Sequence, residues 1–169
     1  MLNKMKIFLI WNFLFYVSAL YAQDELSKVT LSVDKLEILN NQMNFRFILY
    51  NYGNHGLTIY KPYINDICSG ILKLHLINSQ TNKKHEVFPC SEIYDLGAII
   101  LNDKNCIYID KDEGLVKYFS ISIKEITPYL DKGTYLFFVE YNLKDVFFKT
   151  DLKDVFKEDI MSNKIKIEY

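Results

Sequence analysis

Arginine is almost missing from this chain: Arg46 is the single example. A protein that tracks a phosphate backbone needs a basic face, so nucleic acid is excluded as a partner. Glycine and proline are sparse as well, at 6 and 3 residues. That excludes collagenous and low-complexity chains. Three cysteines are too few for a disulfide-dense miniprotein. There is no Cys-x-x-Cys pair on which to build a structural zinc site. A glycine-rich phosphate loop and a serine nucleophile elbow are also lacking.

What remains is apolar. Half of the 169 residues are hydrophobic and 15% are aromatic. Such a chain can bury enough surface to offset its conformational entropy, which a disordered segment cannot. Its length suits one domain with a real core.

The first residues read as a secretory signal. Lys4 and Lys6 precede an apolar run from Ile7 to Tyr21, broken only at Asn12 and Ser18. The run closes on Ala19-Leu20-Tyr21-Ala22. A positive, then apolar, then small order is that of an export signal. The run is shorter than the roughly 20 residues a membrane span needs. The expectation is a signal-peptide helix over 1–22 cut after Ala22, with a cut after Ala19 as the alternative. The remaining domain, 23–169, carries 18 basic against 21 acidic side chains. It would work in the periplasm or outside the cell, with no membrane attachment after cleavage. There Cys68 and Cys90 are the preferred disulfide pair, each at the edge of a predicted strand, with Cys106 left over. The competing reading leaves all three as free buried thiols.

Along 23–169 the apolar residues recur with period two. Val29–Val33, Asn44–Tyr52, Leu57–Lys61, Ile71–Ile77, His85–Phe88, Cys106–Ile109, Val116–Ile123, Thr134–Tyr141 and Lys164–Tyr169 read as strands. Leu72, Leu74 and Leu76 would face the core, as would Tyr135, Phe137, Val139 and Tyr141. The spacing predicts an all-β fold, an antiparallel sandwich of about seven to nine strands. The stretch 143–161 breaks the pattern. Leu152, Val155, Phe156 and Ile160 stand near helical spacing behind Asp151, which predicts a long connection with a helical turn or two.

Leu130-Asp131-Lys132-Gly133-Thr134-Tyr135 resembles the tyrosine corner of immunoglobulin-like sandwiches, in which a tyrosine hydroxyl bonds back to the chain just upstream. The same region, with Ser162–Ile167, is similar to the C-terminal halves of small exported bacterial proteins of that fold. The resemblance covers the last third of the chain. It implies an immunoglobulin-like topology with Tyr135 as the structural corner. The Cys…Trp…Cys pattern of antibody domains is lacking, since the only tryptophan is Trp11.

No catalytic or metal motif survives inspection. His85-Glu86 opens like a zinc-protease helix, but Pro89 stands where the second histidine belongs. Asp110–Gly114 has the acidic start of a calcium loop without its distal ligands, and reads as a hairpin turn. Tyr50, Tyr52, Tyr60 and Tyr63 read as core and rim. No catalytic residue, metal ligand or cofactor is therefore assigned. The first reading is a non-enzymatic binding module whose partner is another envelope or extracellular protein. Val146, Phe147, Phe148 and Phe156 are its candidate interaction residues, being unusually apolar for a loop. The alternative is a secreted hydrolase or metal-dependent enzyme built on His75, His85 and a cysteine.

Overall fold

Alternation of apolar and polar residues gives each long strand one buried face, and that alternation organises the fold. The computed structural model describes residues 29–90, 97–126, 130–144 and 146–169. The expected signal segment lies outside these.

Strands β1 (Val29–Leu39), β2 (Gln42–Asn51) and β8 (Gly114–Ser122) form one antiparallel sheet in the order β1-β2-β8. Asn40 and Asn41 join the first two with φ of 51° and 60°. Two positive φ values make the tight turn whose twist suits a hairpin, and asparagine tolerates them best after glycine.

A second sheet runs β9-β4-β5, from β9 (Thr134–Tyr141), β4 (Leu72–Asn78) and β5 (Lys84–Val87). The far side of β9 is shared by β11 (Ile160–Met161) and β12 (Ile165–Glu168). Every pairing in both sheets is antiparallel. Their inner faces meet: Phe45 of β2 packs 5.2 Å from Phe137 of β9, and Phe47 lies edge-on to Tyr141. Phe47, Leu49, Leu76, Phe137 and Tyr141 are wholly buried. At roughly 25 cal/mol per Å² of apolar area, this layer is the main stabilising term.

The pairing of β2 with β8 resumes beyond a break. β3 (Leu57–Tyr60) pairs with β7 (Cys106–Ile109), so two stretches of chain meet twice. Asn51 bridges the break. It is fully buried, and its amide donates to the carbonyls of His55, Ile109 and Asp110 while accepting from Gly53 N–H. The acidic segment 110–113 is thus not a hairpin turn, because β7 and β8 pair with β3 and β2 rather than with each other.

Three strands were not foreseen: β6 (Ile99–Ile100), β10 (Phe148–Lys149) and β11. β6 and β10 pair in parallel. The helical turn expected within 143–161 is replaced by extended chain. Val155 bridges Thr58, held by Thr58 N–H to Asp154 O and Phe156 N–H to Thr58 O, both 2.9 Å. The edge of β3 supplies hydrogen bonds that a short isolated helix would have had to make for itself. Two single-turn helices, α1 (Asp66–Ser69) and α2 (Ile123–Ile126), complete the described elements.

The edge of β1 is closed by a side chain. Asn163 Oδ1 accepts from Val33 N–H at 2.8 Å, and its amide donates to Val33 O at 3.0 Å. A bulge between Asp34 and Glu37 bends the same edge.

Candidate functional site

The outer face of the β1-β2-β8 sheet carries an apolar stripe. Register places Arg46 between Asp34 and Tyr118, Ile48 between Ser32 and Val116, and Tyr50 between Thr30 and Gly114. Tyr118 is 71% exposed, Val116 46% and Tyr52 55%. Tyr50 and Tyr52 pack at 4.2 Å between ring centroids. Tyr50 also donates to Asp112 O at 2.6 Å, which pins its ring. Gly114 makes this possible: a Cβ there would stand 3.0 Å from the Tyr50 ring and 3.1 Å from Leu49 O.

One end of the stripe is charged. Arg46 grips Asp34 in a bidentate pair, with Nε to Oδ1 at 2.6 Å. That bonding holds the Asp34 carboxyl below its ordinary range and raises the guanidinium further. Two-point geometry fixes Arg46 beside Tyr118, so the rim is both polar and rigid.

The outer face of the other sheet is organised differently. His75 is 1% exposed, with Nε2 2.8 Å from Glu140 Oε2 and its ring stacked on Phe138 at 4.7 Å. Lys84 and Lys164 place ammonium groups 5.3 and 5.6 Å from the Phe138 centroid. Burial lowers the His75 pKa, against the opposing pull of its bond to Glu140. The outward-facing histidine of the alternating pattern is thus covered by its neighbours.

The candidate catalytic groups do not converge. His85 pairs with Leu76 and His75 with Glu86, which puts the two histidines on opposite faces of the sheet. His55 lies in the exposed turn after Asn51. Cys68 and Cys90 form a disulfide with Cα atoms 5.6 Å apart, and Cys106 is a buried free thiol whose pKa burial raises. The two histidines of the enzyme alternative thus face opposite sides of that sheet, and two of its three cysteines are bonded to each other. Among the described residues no cluster of three His, Cys, Asp or Glu side chains is placed to hold a metal ion.

The apolar connection is not one exposed patch. Phe148 and Phe156 are 8% and 3% exposed and belong to the core, and Val146 packs partly against it. Only Phe147 points outward, 70% exposed. Three of the four candidate interaction residues thus pack on the core: the Phe148 ring lies 6.0 Å from that of Tyr60, Phe156 follows the bridge of Val155 to Thr58 on β3, and Val146 packs partly against the same core. The tyrosines near the glycine turn divide as well: Tyr60 is buried, whereas Tyr52 and Tyr63 are exposed.

Tyr135 is 1% exposed, and its hydroxyl accepts from Asp131 N–H at 3.0 Å and donates to Asp131 O at 2.9 Å. It anchors the entry to β9. Sequence reasoning missed Tyr118 and Asp66. Alternation within Val116–Ile123 gave a signal for Tyr118. Asp66, a buried carboxylate discussed below, gave none.

No family model matches the chain, and no curated protein matches it.

Proposed function

We propose that the chain is an exported, non-enzymatic binding module on an immunoglobulin-like sandwich, which reads a protein partner through the outer face of the β1-β2-β8 sheet. The observation that carries this is the stripe of Tyr118, Val116, Ile48, Tyr50 and Tyr52 on one sheet face, with the Arg46–Asp34 pair at its end. Tyrosine and arginine anchors of this kind dominate protein interfaces, since a rigid ring offers large contact area at low entropic cost. The two-way bond of Tyr135 with Asp131 supports the immunoglobulin-like reading. The Lys4–Ala22 pattern and the Cys68–Cys90 bond support export to an oxidising compartment. Another envelope or extracellular protein is the partner class this favours.

The test is capture from the cell envelope by tagged residues 23–169, alongside Tyr118→Ser and Val116→Ser variants. The expected outcome is one stoichiometric protein held by the native chain and lost by the variants, with melting temperature unchanged. Retention by both variants overturns the assignment to this face. Capture of nothing at physiological salt overturns the module itself.

A further inference from the structure

The segment between β3 and β4 is closed by a single buried carboxylate. Asp66 is 4% exposed. Its Oδ2 accepts from Tyr63 N–H at 2.5 Å. Its main-chain carbonyl accepts from Ile71 N–H at 3.1 Å and from the Ser69 hydroxyl at 2.7 Å. One residue therefore ties both ends of the turn. Two titratable side chains face it, Tyr60 on β3, whose hydroxyl bonds the carboxyl, and Tyr141 on β9, and Cys106 on β7 lies beyond them against both tyrosines. Tyr141 donates its hydroxyl to Tyr60 O, which knits the cluster to the second sheet. The nearby Lys61 ammonium is directed to Lys104 O at 3.1 Å. Among the described residues Asp66 has no ion-pair partner.

A buried carboxylate with no cation beside it is costly when ionised and tolerable when protonated, even where hydrogen bonds offset part of that cost. We infer that the 61–71 segment is a proton-operated latch, seated on β3 and β9 while Asp66 is protonated and released when Asp66 ionises. The Cys68–Cys90 bond keeps the released segment tethered, and Tyr63 and Ile64, at 39% and 46% exposure, ride on it.

The direction follows from linkage. Burial pushes Asp66 up from an ordinary 3.8 to about 7, against bonds from Tyr63 and Tyr60 that favour the ionised form. The seated state therefore holds a proton that the released state gives up. The latch is strongest below the ordinary value and weakens as pH rises to about 7. Above that both states are ionised and the balance levels off.

The experiment is amide exchange of Tyr63–Ile71, corrected for intrinsic rates, at about pH 4.5 and about pH 7.5. Native protection is expected to fall by at least about tenfold, and that of Asp66→Asn by less than about twofold. Asparagine keeps the shape and the acceptor without the titration. His75 titrates in both proteins and cancels from the comparison. Equal falls in the two proteins overturn the latch. Tyr60→Phe removes a donor that favours the ionised form, so its transition is expected at higher pH. An unmoved transition in that variant overturns the proposal even if Asp66→Asn fails to fold.

Discussion

The pentapeptide Leu-Lys-Asp-Val-Phe occurs at 143–147 and again at 152–156, and the two copies end in opposite places. Phe147 is 70% exposed and Phe156 is 3% exposed. Leu143 is fully buried, whereas Leu152 is only partly so. The residue that follows accounts for much of this. Phe148 comes after the first copy and takes the core position beside Tyr60, so alternation turns Phe147 outward. Lys157 comes after the second, and Phe156 itself goes in. The backbone partners differ too. Asp159 accepts from the N–H groups of Leu143 and Lys144, both at 2.7 Å, while the second copy is bound along Thr58. Five identical residues thus carry no fixed structure, and tertiary contacts decide.

The sharpest way to break this comparison is one substitution made twice. Phe156→Ser should cost about 3–5 kcal/mol, as for other large-to-small changes in a core, and Phe147→Ser less than about 0.5 kcal/mol. Urea titration of the two variants measures both, and equal losses would end the contrast. Leucine should show it in reverse: Leu143→Ala is expected to lose about 2–5 kcal/mol and Leu152→Ala clearly less, read as shifts in denaturation midpoint. Opening the Cys68–Cys90 bond, whose ends are separated by 22 positions in sequence, should cost about 3 kcal/mol when reduced and oxidised protein are compared by melting. Tyr135→Phe removes the hydroxyl from Asp131 and should cost about 1 kcal/mol, measured by the same titration. The smallest effect concerns His75. Its depressed pKa gives stability that is present above the ordinary 6.5 and is lost as pH falls through the depressed value. His75→Gln should flatten that acid limb of the melting curve.

The long strands were legible because their alternation has one cause, a buried face. Leu72, Leu74 and Leu76 and the four inward residues of β9 are all buried, as their period of two requires. The extent of β1 was not legible: Lys35 at φ 49° and the bulge after Asp34 interrupt the alternation there. The two-residue strands β6, β10 and β11 exist through partners far away in sequence, so no local pattern announces them. The same limit hid much of the site: alternation puts Tyr118 on the outer face but does not say that this face stays open. Exposure of Tyr118 depends on which strand neighbours β8, and burial of Asp66 depends on Tyr60 and Tyr141 arriving from other strands.

Asn163 does for β1 what another polypeptide would otherwise do. An open eleven-residue edge is a template on which a stray chain can lengthen the sheet. One amide, contributing both a donor and an acceptor, occupies the template at Val33. With the adjacent bulge, it leaves no long straight run for a visiting strand to copy. A sheet edge occupied in this way carries its own guard against growing into fibres.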